Sequence, residues 1–131
     1  MSGSQQKKRV LIVDDESVIA DSLAIIFSNE GYEARAVYSA EQALQLFSEW
    51  VADLAIIDVR LPGMNGIDLA IQLKEKYPEC KVTLFAGQAA TSDLAASARQ
   101  SGHSLDVLEK PIHPTALLIL ASRLLDTTEG S

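Results

Sequence analysis

The feature that most constrains the fold is a regular alternation of short apolar runs with segments of helical spacing. Residues 10–13 form a β-branched run of the kind that suits a strand buried on both faces. Residues 17–29 place apolar side chains at helical spacing, and Gly31 follows in a C-cap role. The alternation continues along the chain. It predicts strands over 10–13, 33–37, 54–58, 82–85 and 105–109, and helices over 17–29, from 39 onward, and over 66–77, 90–101 and 114–126.

A helix separates each pair of consecutive strands, and this order favours parallel pairing. We therefore predict an α/β, flavodoxin-like fold, which is a doubly wound five-stranded parallel sheet with helices on both faces. The 131 residues, of which 47% are hydrophobic, can bury one good core but hardly two. We expect a single domain over residues 8–126, a disordered polar tail over 1–7 and a C-terminal tail over 127–131.

Charge and composition exclude several classes of protein. The net charge of −7 and the pI near 4.7 argue against a nucleic-acid partner, whose binding surface would concentrate Lys and Arg. The basic cluster at residues 7–9 is either a solvated tail, which we favour, or a binding patch. The single Cys80 excludes an internal disulfide. No run approaches the roughly 18–20 apolar residues of a membrane span and no secretory segment begins the chain, so we expect a cytoplasmic location without membrane partners.

Polar residues follow the predicted strands at the edge of the sheet where ligands bind. In doubly wound sheets, the carboxyl ends of the strands form the ligand crevice near the point where strand order reverses. The candidates at this edge are Asp14 and Asp15 after the first strand, Asp58 at the end of the third, Ala86, Gly87 and Gln88 after the fourth, and Lys110 with Pro111 after the fifth.

Three carboxylates at one edge predict a metal site that handles phosphate. Asp14, Asp15 and Asp58 would repel one another by several kcal/mol at roughly 4 Å, even at an effective dielectric of about 20. A hard divalent cation offsets that repulsion, and Mg²⁺, or Mn²⁺ in its place, also accepts a substrate phosphate. Lys110 adds a mobile positive charge for a phosphoryl oxygen. Because no P-loop or Gly-rich dinucleotide motif is present, we expect Asp58 itself to attack phosphorus and become an aspartyl phosphate.

Three motifs, in this order, resemble the receiver domain of two-component response regulators. They are Asp14-Asp15 after an apolar strand, Asp58 followed by VRLPGMNG, and Lys110-Pro111 after the last strand, and the resemblance extends over about residues 8–125. It implies that Asp58 is the phosphoryl acceptor and that Lys110 holds the phosphoryl group, ahead of a cis Pro111. It also implies that Asp15, Asp58 and the backbone carbonyl of Arg60 bind Mg²⁺, with Asp14 contacting the metal through water.

The turn after Asp58 has a signature of its own. We expect Pro62, Gly63 and Gly66 to shape it so that backbone groups face the metal, while Asn65-Gly66 begins the third helix. Arg60, Gly87 and Gln88 would neighbour the phosphoryl group. Arg60 and Gln88 would tune its lifetime, unless they are ordinary exposed loop residues.

Two switch positions depart from the family pattern. Ala86 stands where receivers usually carry Ser or Thr, and Val107 stands where they often carry Tyr or Phe. The missing hydrogen bond to a charged group is worth about 1.5–3 kcal/mol, comparable to a whole allosteric coupling of about 1–3 kcal/mol. We therefore expect an atypical or weakened switch. One sequence does not separate natural divergence at position 86 from an introduced substitution of a native Ser.

The last predicted helix, over 114–126, is apolar almost all round. Either it is simply well buried, or its surplus apolar surface joins the helix over 90–101 and the strand over 105–109 in a partner or homodimer interface. Only a few residues follow it. We expect no DNA-binding or enzymatic output domain, so that the protein acts through a downstream protein partner or is a fragment of a longer one.

Two functional hypotheses follow. In the first, a sensor histidine kinase or a phosphotransfer protein donates to Asp58 with Mg²⁺, and the modified domain changes an interaction surface. In the second, the chain is a receiver-fold interaction module that does not switch by phosphorylation. The intact acids and Lys110 favour the first hypothesis, whereas Ala86 and Val107 favour the second. A phosphatase acting on a free substrate is a poorer fit, because Arg60 stands where such enzymes place a second acid. We do not expect an enzyme.

Overall fold

A computed structural model describes residues 7–87, 106–109 and 113–126. The elements follow the predicted alternation. They are β1 (Arg9–Val13), α1 (Ser17–Asn29), β2 (Glu33–Val37), α2 (Ala40–Phe47), β3 (Leu54–Asp58), α3 (Gly66–Lys76), β4 (Lys81–Ala86), β5 (Asp106–Glu109) and α4 (Pro114–Asp126). The predicted helix over 90–101, residues 1–6 of the predicted tail over 1–7, and the predicted tail over 127–131 lie outside the described residues.

The five strands form one parallel sheet in the order β2-β1-β3-β4-β5. β1 lies inside the sheet, β2 is added on one side of it, and β3, β4 and β5 follow in order on the other side. The order therefore reverses between β1 and β3, and ligands bind at this point in flavodoxin-like sheets. The predicted flavodoxin-like fold is confirmed.

Apolar side chains cover both faces of the sheet. All five residues of β3 are buried, as expected for a central strand with helices above and below. One apolar cluster joins the sheet to α2 and α3 through side chains such as Phe47 and Leu73. The other joins the sheet to α1 and α4 through Phe27 and Leu117. Within the described residues, no helix is long and apolar enough to cross a membrane.

Most predicted element ends agree with the structure to within a residue. Gly31 follows α1 with φ of 97°, the left-handed conformation that glycine adopts at little cost. α3 ends one residue earlier than predicted, because Tyr77 precedes Pro78 and has left the helical region at φ −130° and ψ 70°. β4 is longer by one residue at each end, since Lys81 pairs with β3 and Ala86 pairs with β5.

The predicted capping box of α2 is formed only in part. Ser39 Oγ accepts a hydrogen bond from the Gln42 N–H over 3.1 Å, as the motif requires. The Gln42 side chain, however, accepts from the N–H of Tyr38 over 2.8 Å, one residue before the expected donor. This contact fixes the end of β2 to the start of α2.

The basic cluster at residues 7–9 does not behave as one tail, because Arg9 is the first residue of β1. Its guanidinium carbon lies 5.4 Å from the ring centre of Trp50, and that of Arg35 lies 4.6 Å from the same ring. The Trp50 indole N–H donates to Glu33 over 3.0 Å, and Glu33 pairs with both arginines. Arg9 is therefore part of a structural cluster at the amino edge of the sheet.

Candidate functional site

The carboxyl edge of the sheet brings three carboxylates together. β1 and β3 are neighbours, with Val13 paired to Ile57, so the residues that follow these two positions lie side by side. One carboxylate oxygen from each of Asp14, Asp15 and Asp58 lies within 4.8 Å of the other two. Asp14 is fully buried, Asp58 is 4% exposed and Asp15 is exposed. These are the three acids that the sequence predicts at this edge.

Local hydrogen bonds orient the two buried acids. Asp14 Oδ1 accepts from the N–H of Glu16 over 2.9 Å, and Asp58 Oδ1 accepts from the N–H of Arg60 over 3.2 Å. In both, a carboxylate oxygen accepts from the backbone N–H two residues on, and such bonds stabilise the turn after a strand. The Asp14 N–H donates to the Val37 carbonyl over 3.2 Å, so the β1–β2 pairing extends into the site. Both carboxylates are therefore positioned by backbone groups.

The loop after Asp58 returns to the acceptor at Gly66. A Cβ at Gly66 would lie 2.2 Å from the Asp58 carbonyl oxygen and 2.9 Å from Val59 Cα, so only glycine fits there. The Gly66 N–H donates to the Val59 carbonyl over 2.9 Å, and Asn65 Oδ1 caps α3 by accepting from the N–H of Asp68 over 2.9 Å. Gly63 takes a φ of 77° at the tip of the loop. The close return of Gly66 fixes the backbone that presents the Asp58 carboxylate.

The donor set fits a hard divalent cation. Three carboxylates this close together repel one another, by about 4 kcal/mol per fully charged pair at 4 Å and an effective dielectric of about 20. Oxygen-only ligands from two strand ends suit Mg²⁺ or Mn²⁺, and the exposed Asp15 leaves a side of the site open to water and to a phosphate. Arg60 follows Asp58 by two residues and is exposed. These residues fit the divalent cation that the sequence predicts.

A shallow depression of about 500 Å³ opens beside the acids. Its lining combines two charged side chains with the loop after β3, and comprises Asp15, Val59, Arg60, Leu61, Pro62, Asn65 and Ile67. The site can therefore be approached from solvent on the side of Asp15 and Arg60.

The two switch positions lie on one face of the sheet. Ala86 ends β4, is 2% exposed and pairs with Glu109, and Val107 pairs with Leu84 two residues earlier on each strand. Ala86 belongs to the apolar cluster between the sheet and α2 and α3, and the partly buried Val107 packs against that cluster. Gly87 follows Ala86 and is exposed. Lys110, Pro111 and Gln88, which the sequence also assigns to the site, lie outside the described residues.

One contact at this edge escapes sequence reasoning. The phenol of Tyr38, just after β2, donates to Asp21 Oδ1 in α1 over 2.6 Å. The two residues are 17 positions apart, and neither belongs to a recognisable motif. No periodicity signals such a bond, since it depends on how α1 is rotated against the end of β2.

Comparison with known proteins is consistent with this geometry. Residues 10–122 match the model of a family described as the response regulator receiver domain. The chain is 34% identical over 126 residues to the alginate biosynthesis transcriptional regulatory protein AlgB of Pseudomonas aeruginosa, covering 96% of this chain and 28% of that protein. It is 31% identical over 120 residues to the nitrogen assimilation regulatory protein NtrX of Azorhizobium caulinodans, covering 90% and 26%. The chain thus spans less than a third of the length of these two relatives.

Two solved structures have the same fold. The receiver domain of NtrX from Brucella abortus is 34% identical, with a TM-score of 0.79 over 90% of this chain and 98% of that one. A CheY-like response regulator receiver domain protein from Methanospirillum hungatei is 31% identical, with a TM-score of 0.85 over 95% of this chain and 98% of that one.

Proposed function

We propose that this chain, which belongs to the response regulator receiver domain family of two-component systems, accepts a phosphoryl group on Asp58. The donor would be a sensor histidine kinase or a phosphotransfer protein, and Mg²⁺ or Mn²⁺ would be required. The observation that carries the proposal is the meeting of Asp14, Asp15 and Asp58 where the strand order reverses. Their mutual repulsion is offset by a cation. A buried carboxylate on a rigid strand suits an acceptor whose oxygen must lie in line with the phosphorus and the bond that breaks.

Each residue of the proposed site would have a distinct role in phosphoryl transfer. Asp14, Asp15, Asp58 and the Arg60 carbonyl would hold the metal, which when bound neutralises charge on the transferring phosphoryl oxygens. An Asp58 oxygen attacks phosphorus as the bond to the donor nitrogen breaks, and the donor histidine leaves with the electron pair of that bond. The Arg60 N–H keeps the carboxylate oriented before the donor arrives. Lys110 would place its ammonium on a phosphoryl oxygen.

The output of the phosphorylated state would differ from the family pattern. Ala86 offers no hydroxyl to a phosphoryl group on Asp58, and Val107 has no ring to swing inward. A weakened or rerouted switch is therefore part of the proposal. The second candidate function, an interaction module that does not switch, draws its support from the same two residues.

The signal would leave through a protein partner. α4 buries Leu117, Ala121 and Leu125 against the sheet, whereas Ile119 is 51% exposed on its outer side. The outer side of α4, together with β5, would contribute to a partner or homodimer surface. We place the protein in the cytoplasm, where response regulators generally act, and assign it no enzymatic activity on a free substrate.

Intact mass after incubation with acetyl phosphate tests this function. We expect an added phosphoryl mass on the wild-type chain with Mg²⁺, none after chelation and none on Asp58→Asn. The matched control is Asp68→Asn, which removes an exposed acid from α3 and should be modified like the wild type. Modification of Ala86→Ser without modification of the wild type would favour the module that does not switch. Failure of both proteins would refute the assignment of the site.

A further inference from the structure

The hydrogen bond between Tyr38 and Asp21 lies at the same edge of the sheet as the acid triad. Tyr38 directly follows β2, and Asp21 is in the second turn of α1. The phenol O–H donates to Asp21 Oδ1 over 2.6 Å, and Tyr38 is 36% exposed. Neither residue is among those to which the proposed function assigns a chemical role. The bond nevertheless connects the two elements on either side of the loop that carries Asp14 and Asp15.

Val37, the last residue of β2, and Tyr38, which follows it, are bonded to the two ends of that loop. At one end, the Asp14 N–H donates to the Val37 carbonyl over 3.2 Å. At the other end, Tyr38 bonds to Asp21. The segment between is bonded internally, because the Glu16 N–H donates to Asp14 Oδ1 and the Ala20 N–H donates to the Glu16 carbonyl. Residues 14–21 and 37–38 therefore form a closed ring of covalent and hydrogen bonds.

The anchor of this ring is itself fixed. The Tyr38 N–H donates to Gln42 Oε1 over 2.8 Å, and Gln42 is held in the first turn of α2 by the Ser39 cap. α2 packs against the sheet through Ala40, Ala43 and Phe47, all of which are buried. Because the Tyr38 backbone is already fixed, the Tyr38 side chain loses little further conformational freedom when it bonds to Asp21.

We propose that Tyr38 and Asp21 are positioning residues that hold the Asp14-Asp15 loop in place for a metal ion. This inference rests on the proposed metal site of the triad. Without a cation, repulsion among the three carboxylates would favour displacement of the loop away from Asp58. The ring opposes this displacement, so less of the free energy of metal binding is spent on bringing the acids together.

Calorimetric titration of Mg²⁺ into the full chain tests the role of the ring, with Mn²⁺ binding followed by electron paramagnetic resonance as a second readout. Loss of a residue that hydrogen-bonds to a metal ligand commonly lowers metal affinity by about 10–100-fold. Tyr38 contacts Asp21 and not a ligand itself, so we expect a smaller effect, in which Tyr38→Phe weakens binding by about 3–10-fold. Asp21→Ala should weaken binding equally, and Tyr38→Phe should then add nothing. Asp21→Asn should bind like the wild type, since its amide oxygen still accepts from the phenol. Tyr77→Phe, at the opposite edge of the sheet, is the matched control.

The variants separate positioning from a simple effect of charge. If Asp21→Asn weakens binding as much as Asp21→Ala while Tyr38→Phe binds like the wild type, Asp21 acts through its charge and the inference is wrong. Amide hydrogen exchange gives a readout independent of metal. Without metal, exchange at residues 15–20 should be faster in Tyr38→Phe than in Tyr77→Phe, and equal rates would contradict the inference. A wild-type chain that binds no Mg²⁺, or binds it no better than Asp58→Asn, would instead refute the proposed function.

Discussion

Replacement of Gly66 by alanine tests how the acceptor is positioned. Gly66 is the first residue of α3, where intrinsic helix propensity alone would favour alanine by up to about 1 kcal/mol. The structure predicts the opposite sign, because the new Cβ would lie 2.2 Å from the Asp58 carbonyl oxygen. Relief of this clash requires backbone atoms to move by at least about 0.8 Å, and such overpacking typically costs about 1–3 kcal/mol. The moving backbone includes the residue that carries the acceptor carboxylate.

Two assays measure the effect of Gly66→Ala. Urea unfolding followed by the fluorescence of Trp50, the only tryptophan, should show a loss of about 1–3 kcal/mol in the free energy of unfolding. Phosphorylation by acetyl phosphate should slow by up to about 100-fold, since a displacement of about 1 Å can cost that much. Gly87→Ala is the matched control for the unfolding measurement, because a Cβ there meets no atom within 4 Å. Asp68→Asn, which changes an exposed acid of α3, is the control for the phosphorylation rate. A Gly66→Ala protein as stable and as readily phosphorylated as the wild type would show that the close approach of Gly66 does not position the acceptor.

Three further predictions concern other parts of the molecule. Ala86→Ser should lower the free energy of unfolding of the unphosphorylated chain by about 1–2 kcal/mol, because it introduces a hydroxyl at a 2% exposed position among apolar side chains. Urea unfolding measures this change, and an unchanged midpoint would contradict the prediction. The hydrogen bond from Trp50, aided by the charges of Arg9 and Arg35, holds the pKa of Glu33 below its ordinary value of 4.5. The ionised Glu33 therefore contributes stability that is present above pH 4.5 and is lost as the pH falls through its lowered pKa, and carboxyl titration by NMR should show a higher pKa in Trp50→Phe. Burial, with the nearby charge of Asp53, raises the pKa of the Cys80 thiol to about 12. A disulfide reagent should therefore label Cys80 at pH 8 in urea but not in the native protein, and rapid labelling of the native protein would show that the thiol is accessible.

The sequence predicts the fold well because each of its local signals agrees with the others. β-branched runs, helical spacing and cap residues assign β1, α1, β2 and β3 almost to the residue, and parallel pairing then requires their carboxyl ends to meet at one edge. This is why the sequence alone groups Asp14, Asp15 and Asp58 at one edge of the sheet. Their convergence follows from topology alone.

Features that depend on side-chain direction could not be predicted in the same way. The Tyr38–Asp21 bond joins two elements whose relative rotation leaves no trace in the spacing of apolar residues. Gly66 could be recognised as a turn residue, but its close approach to the Asp58 carbonyl is visible only in three dimensions. The role of Arg9 was also hidden, because a charged residue before a strand looks solvated until Trp50 and Glu33 are placed beside it. The contribution of Lys110 remains a prediction.

The most direct test of the central claim is to locate the phosphoryl group chemically. Borohydride reduces an aspartyl phosphate to homoserine, so treatment after phosphorylation, followed by peptide mass spectrometry, identifies the residue that was modified. We expect homoserine at position 58 only, and only when Mg²⁺ was present during phosphorylation. Homoserine at Asp14, Asp15 or any other acid, or its formation without a divalent cation, would contradict metal-dependent phosphorylation of Asp58.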